Sequence, residues 1–386
     1  MSQLQSHLSS LQPHSVLHQR HLRLLVLTAD LPPISRSGIG VSVALQCEAL
    51  AKLGCSVRVL TPGNPPFLPL SGVTIHSLPA DHFPADLADW DLIHLHSLSL
   101  AALALEASRR LQMPLIYTAH SLLAEEVPLA GQWIALQQKI FATAQHVFFL
   151  NRAERVRAVE QDISLMHRSS VLHHGLDAAT GSIPFAQREP LIVVAGRFCH
   201  NKGTDVAVAA LQSVMRGDAR IRVLFAGGNG DASCSVLVEQ LATEFSTRVS
   251  APGWIDHCEL LQRLPYASLA LSPSRYEPFG LFPLEALRCG TPVIAACTEG
   301  SAETLLGNSG ALLLPTHNPA TWARVIEDTL RDRVLHDRLS ALGPAWVRRH
   351  FNHISHAHTF LTRLASISLS QTGASKQEPQ VFAHVA

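Results

Sequence analysis

The feature that most restricts this chain is a series of short, largely apolar segments, each closed by glycine, proline or a polar loop. "RLLVLT" (23–28), "SVRVLT" (56–61), "DLIHLH" (91–96), "PLIYTAH" (114–120), "HVFFL" (146–150) and "SVLHHG" (170–175) form a first series, with helical periods between them. Segments this short, without polar alternation, fit strands covered on both faces, and the intervening helices make βαβ units of a parallel sheet. The periodicity lapses over 178–190 ("AATGSIPFAQREP"), a candidate linker, and then restarts. "LIVVAG" (191–196), "IRVLFAGG" (221–228), "TRVSAPG" (247–253), "LALSPS" (269–274), "TPVIAA" (291–296) and "GALLLP" (310–315) form the second series. At 386 residues the chain exceeds what one core serves, so two doubly wound α/β halves are expected. Residues 318–364 read as helical throughout, and 368–386 as a mobile tail without a period.

Lys plus Arg and Asp plus Glu number 30 each, so no global field draws in nucleic acid. An anionic ligand has to be caught by local groups. The seven cysteines are scattered and never form C-x-x-C, which fits buried thiols in a reducing compartment better than disulfides or zinc. The first 21 residues lack the apolar core of a secretory signal, and no apolar run approaches 18 residues. A cytoplasmic location is the expectation, with peripheral contact at a membrane surface left open.

In open α/β sheets, ligands bind beyond the carboxyl ends of strands. "LIVVAG" runs straight into "RFCHNKGTD", which brings Arg197, Lys202 and backbone N–H groups to the start of a helix. Such a loop suits a diphosphate, against a competing reading of solvated surface charges. In "SRYEPFGLFPLEALRCGTPVIA" (274–295), Pro278 and Gly280 interrupt any helix, so a new one begins near Leu281. Glu277 then sits on the loop and Glu285 one turn inside. Carboxylates accept hydroxyl protons while a helix N-terminus receives an anion, and a nucleotide sugar offers both groups. The competing reading makes Glu285 a helix-surface residue and Glu277 a partial cap.

These stretches together resemble the retaining glycosyltransferases of the GT-B fold, family 4. The E-x7-E marker is Glu277 and Glu285, preceded by G-R-x4-K-G at Gly196, Arg197, Lys202 and Gly203, and the resemblance covers most of residues 22–360. It implies two Rossmann-like domains facing across a cleft. An N-terminal extension (1–21) would precede an acceptor domain (22–183) and a donor domain (184–352). A helix over 353–367 would cross back to the first domain. Arg197 and Lys202 would bind the donor diphosphate, Glu285 the ribose hydroxyls and Glu277 the donor sugar. Backbone N–H groups around Phe279, Gly280 and Leu281 would support sugar and phosphate. Gly38 and Gly40 would form the glycine loop after the first strand. His120 would approach the donor sugar, and Gly253 joins the nucleotide-binding set. The implied reaction moves a hexose-type sugar from a nucleoside diphosphate sugar, UDP favoured, to an unidentified glycan, glycolipid or small-metabolite acceptor, with retention. No cofactor or metal is expected, and the protein would be a monomer or homodimer. A GT-B nucleotide-sugar epimerase and a non-catalytic sugar-nucleotide-binding subunit are the alternatives.

The chain departs from the family pattern at three places. His174-Gly175 replaces the usual Asn-Gly, Ser37-Gly38 replaces the commoner Gly-Gly, and "EGSAE" (Glu299 to Glu303) stands where Gly-Gly-x-x-Glu is usual. Two further signals are discounted. Asp89-Trp90-Asp91 spells the metal motif D-x-D but lies at the amino end of its strand. His350, His353, His356 and His358 have helical spacing and read as a solvated helix face. His94 and His96 point the same way in a strand, as satisfied core residues near the cleft floor.

Overall fold

The computed structural model describes residues 21–32, 38–63, 68–78, 89–126, 131–177, 183–228, 230–307 and 309–372. The N-terminal extension to residue 20, Ser37, the first part of the linker (178–182) and 373–386 of the expected tail lie outside the described residues, while 368–372 continue the last helix instead of the tail.

The first sheet holds β1 (Arg23–Leu27), β2 (Ser56–Thr61), β3 (Val73–Ser77), β4 (Leu92–Leu95), β5 (Leu115–Ala119), β6 (His146–Phe149) and β7 (Ser169–Val171). Its order is β3-β2-β1-β4-β5-β6-β7, every pairing parallel. Helices α1 (Gly38–Lys52), α2 (Ala101–Leu111), α3 (Gly131–Thr143), α4 (Arg152–Gln161) and α5 (Leu165–Arg168) accompany it. The second sheet holds β8 (Glu189–Arg197), β9 (Arg222–Gly228), β10 (Val249–Gly253), β11 (Ala267–Ser272), β12 (Val293–Ala296) and β13 (Ala311–Leu314). Its order is β10-β9-β8-β11-β12-β13, again all parallel. Helices α6 (Thr204–Gly217), α7 (Ala232–Glu244), α8 (His257–Arg263), α9 (Leu281–Arg288), α10 (Glu299–Leu305), α11 (Pro319–Arg331) and α12 (Arg333–His350) belong to this half, and α13 (His353–Thr372) follows. The doubly wound α/β expectation holds in both halves.

Central strands are buried along their whole length, as in β4, β5, β6, β11 and β12, because helices cover both faces. Edge strands are not. β3 alternates between half-buried and exposed residues, and the sequence reading missed it for that reason. β7 ends at Val171, so residues 172–175 leave the sheet as a loop rather than continuing the expected strand. The expected helical block 318–364 is three helices. Asp332 caps α12 by accepting from Leu335 N at 2.9 Å, and Phe351-Asn352 breaks the chain before α13.

Phe351 packs with the second sheet, whereas Ala357, Phe360 and Leu364 of α13 join the core between α1 and the first sheet. Leu176 stitches the crossing, donating from its N–H to Phe351 O and accepting from His353 N at 2.9 Å. The strand order reverses between β1 and β4 and between β8 and β11. The crevices at these two switch points face each other.

Candidate active site

The second switch point is built by close backbone approaches. β8 ends at Gly196-Arg197, and a tight turn over His200–Lys202 leads into α6. Gly203 joins them at φ 66°, where a Cβ would lie 1.9 Å from Pro273 O, so only glycine fits. That approach locks the basic loop against the end of β11. Arg275 reinforces it, donating to His200 O at 2.8 Å and to both Asp205 oxygens at 2.7 and 2.8 Å. The result sets Lys202 Nζ 2.8 Å from Glu277 Oε2, which also accepts from Ser274 Oγ at 3.1 Å. Arg197 extends across the cleft, 3.7 Å from Glu126 of the first half.

Pro278 and Gly280 interrupt the chain, and α9 starts at Leu281, with Gly280 at φ 86° as its cap. Phe279 turns its ring inward, edge-on to His174 at 5.1 Å and to Phe351 at 5.7 Å. Its carbonyl accepts from Thr304 Oγ1 at 3.1 Å. Glu285 is buried within α9, and His257 Nε2 approaches its Oε1 at 2.7 Å. Burial works to lower the His257 pKa, but the bond and charge of Glu285 outweigh it and raise it. Gly253, at φ 83°, ends β10 three residues before Asp256, whose side chain caps α8.

From the first half, Gly38 opens α1 directly opposite: a Cβ on it would lie 2.9 Å from Leu281 Cδ1. Gly40 packs on Asp30, where a Cβ would lie 3.2 Å from the carbonyl oxygen. His120 directly follows β5 inside a row of histidines. Its Nε2 meets His96 Nδ1 at 3.0 Å and its Nδ1 meets His174 Nε2 at 3.3 Å. Burial pushes its pKa down to about 4, so the ring is neutral at physiological pH. Both ring nitrogens are therefore engaged within the first half. His94 and His96 need a correction. His94 Nε2 meets Thr118 Oγ1 at 2.8 Å, but His94 Nδ1 and His96 Nε2 have no partner among the described residues.

Of the groups that close the cleft, sequence reasoning singled out only Glu299 and Glu303. Tyr276 reaches the first half, where its hydroxyl bonds Glu154 Oε1 and accepts from Leu122 N at 2.9 Å. Asn151 caps α4 through its oxygen and donates its amide to Pro278 O at 2.8 Å. Glu303 accepts from Arg152 N at 2.8 Å and meets His173 Nε2 at 2.9 Å. Arg157 pairs with Glu125 and, at 2.6 Å, with Glu299. The only hint of Asn151 was its place between a buried strand and a helix, the position of a cap.

The discounted motifs have other occupations. Asp91 accepts from Arg23 N at 2.8 Å and so ties β1 to the residue before β4. The four histidines near α13 fan out rather than converge. His350 packs on Trp346 in a tilted pair at 4.2 Å, His353 bonds Leu176 O at 3.1 Å, and His356 bonds His173 O. His353 and His356 thus face inward, not solvent as the spacing suggested. The cysteines are all free, and Cys258 and Cys297 are exposed rather than buried. Among the described residues no helix is long and apolar enough to cross a membrane.

Comparison with known proteins agrees with this architecture. The family described as glycosyl transferases group 1 matches residues 178–346, and the glycosyl transferase 4-like domain matches 37–165. D-inositol 3-phosphate glycosyltransferase of Nocardia farcinica is 28% identical, covering 91% of this chain and 90% of that protein. Glycogen synthase of Mycobacterium tuberculosis is 28% identical over 81% and 86% of the two chains. Among solved structures, sucrose-phosphate synthase from Thermosynechococcus elongatus superposes with a TM-score of 0.72 at 22% identity, covering 92% of this chain and all of that one (100% of its length). Anabaena HepE in complex with UDP and glucose superposes at 0.75 with 17% identity, over 90% and 100%. With family models matching both halves and relatives along most of its length, the chain belongs to the family-4 glycosyltransferases of the GT-B fold.

Proposed function

We propose that this protein transfers a hexose-type sugar from a nucleoside diphosphate sugar, UDP favoured, to an acceptor with retention of anomeric configuration. The observation that carries the reading is the Lys202–Glu277 pair at 2.8 Å, seated between the basic loop and the start of α9. It sets a phosphate-binding cation beside a hydroxyl-binding carboxylate, the two chemistries a nucleotide sugar requires. Arg197 and Lys202 take the diphosphate and meet the charge that develops on it as the sugar departs. Glu277 accepts donor-sugar hydroxyls once the diphosphate draws Lys202 away. Glu285 accepts ribose hydroxyls. The N–H groups of Phe279 to Leu281 would receive sugar and phosphate, Gly38 and Gly40 let the start of α1 approach Leu281 and Asp30 closely, and Gly253, with open space beside it, leaves room for the nucleotide.

His120 supports the sugar side as a neutral ring, and its bonds to His96 and His174 fix its orientation. No covalent nucleophile is assigned: the leaving phosphate takes the acceptor proton in a front-face attack. Metal is not required, because Arg197, Lys202 and helix N-termini supply the positive charge. Cleft closure excludes water that would hydrolyse the donor. The solved complex of HepE with UDP and glucose supports UDP as the donor nucleotide.

The test is a thermal-shift screen of UDP-, GDP- and ADP-sugars, since a ligand that binds the folded state raises its melting temperature by mass action. UDP-sugars should give the largest rise. A rise with none of them refutes the reading, and isomerised donor without acceptor would mark an epimerase.

A further inference from the structure

Between the two halves lies a cavity of about 440 Å³, within the size range of small-molecule sites. Glu277, Thr298 and Glu299 line one side, and Asn151, Glu154 and Arg157 the other. Glu277, the residue assigned to the donor sugar, is thus among its lining residues, and the rest of the wall comes from both domains.

The cations of this wall are already committed. Arg157 is held by Glu125 and by Glu299. Arg275, which also lines the cavity, is held by both oxygens of Asp205. Four carboxylates, those of Glu125, Glu277 and Glu299 with Asp205 behind Arg275, outnumber these two guanidinium groups and the Lys202 ammonium paired to Glu277. A phosphate or carboxylate entering here meets an excess of like charge. A hydroxyl meets acceptors.

Glu154 supplies an independent sign. Its residue is 1% exposed, and Oε1 bonds the Tyr276 hydroxyl and Leu122 N, while Oε2 has no partner among the described residues. A buried carboxyl oxygen without a donor is costly, and native structures rarely keep one unless a ligand or water completes it. Burial also pushes this carboxyl up to about 7, which reduces the charge that a neutral guest must face. Glu299 adds to the same picture. It stands where the family usually has glycine, and its side chain occupies the second face of Arg157.

We propose that this cavity is the acceptor subsite and that it selects an uncharged, hydroxyl-bearing acceptor, a neutral sugar or polyol, over a phosphorylated one. The proposal rests on the donor reading above, because it places the acceptor against Glu277.

The experiment measures transfer from UDP-glucose to matched acceptors: glucose against glucose 6-phosphate, and myo-inositol against myo-inositol 1-phosphate. The uncharged member of a pair should be favoured in kcat/KM by at least about tenfold, the effect of one unscreened like charge a few ångström away. Glu299→Gly and the isosteric Glu299→Gln both release Arg157 from one partner. Each should narrow that preference about threefold or more through acceptor KM, with donor KM unchanged. The glutamine variant guards against loss of the first turn of α10. Equal or better use of the phosphorylated members overturns the proposal. So does failure of every uncharged acceptor while UDP-glucose still raises the melting temperature. Failure of the donor itself to bind removes the donor reading, and this one with it.

Discussion

The two sheets are wound alike, yet their polar interiors differ. The first half buries histidines as neutral rings. Burial pushes His94 to about 3, His120 and His146 to about 4, and His96 and His174 well below the ordinary imidazole value. The second half buries charges with partners. Arg188 is 8% exposed and remains a cation, though burial lowers it to about 10. Its guanidinium donates to the carbonyls of Ile183, Pro265, Ala267 and Gly290 and to Ser340 Oγ, at 2.7 to 3.1 Å. Glu285 has His257, and Glu277 has Lys202. The difference teaches how such a cleft divides its work. On the proposed function, the cations that would meet a diphosphate, Arg197 and Lys202, come from the second half, while the charges the first half brings to the cleft, Glu126 and Arg157 among them, are paired.

The largest effect that can break this contrast is acid. A histidine whose folded pKa is depressed contributes stability that is complete above the unfolded value near 6.5 and is lost as pH falls towards the folded value. Each such ring removes about 1.4 kcal/mol per pH unit in that window. The first half carries several, so its stability should fall by several kcal/mol between pH 6.5 and 4.5. Hydrogen exchange read in β4 and β5 against β11 and β12 checks this. Equal loss in both sheets would erase the contrast.

Next in size is the charged wall. Lys202→Ala should lower kcat by about 10²-fold or more, the usual cost of one preorganised charge at a transition state. Steady-state kinetics with the preferred donor, alongside an unchanged circular dichroism spectrum, measure it. Retained activity would show that Arg197 and helix N-termini suffice. Arg188→Met should cost about 3 kcal/mol in urea unfolding, because it strands several buried carbonyls at once. A loss below about 1 kcal/mol would mean that water replaces the guanidinium.

The smallest effect sharpens the contrast at a single residue. His257 has a raised pKa, the opposite sign to the first-half histidines. Its charged pairing with Glu285 is complete below the unfolded value and is lost as pH rises through the raised folded value. Donor KM should therefore climb on the alkaline side in the wild type. In His257→Gln it should be about threefold higher at neutral pH and flat across that range, as expected for one charge-assisted hydrogen bond. An alkaline limb that persists in the variant would place the titrating group elsewhere.

Much of the scaffold was legible because it follows from composition at short range. Continuous apolar strands announce sheets covered on both faces, and Pro278 with Gly280 forces a helix to begin at Leu281. β3 was missed because an edge strand buries only one face and loses the apolar run. Of the four histidines near α13, His350 and His358 are exposed as expected, but His353 and His356 are not, because helical spacing fixes a shared face but not what covers it. Here the 173–176 loop covers His353 and His356. His257 and Tyr276 gave no local signal at all. Each acts through a partner 28 or 122 residues away in the chain, Glu285 and Glu154 respectively.

Period and backbone-breaking residues in the sequence suffice for the winding of both halves and for setting Arg197 at the end of β8, Lys202 in the turn after it, Glu277 on the loop before α9 and Glu285 inside that helix. Only the tertiary structure decided which charges are free to act. Pairing and burial arise when distant segments meet, and they leave Lys202 on Glu277, Arg157 between two glutamates, and His120 neutral between two other histidines. An isolated segment has a charge and a spacing, but its dielectric surroundings and partners come from the rest of the fold.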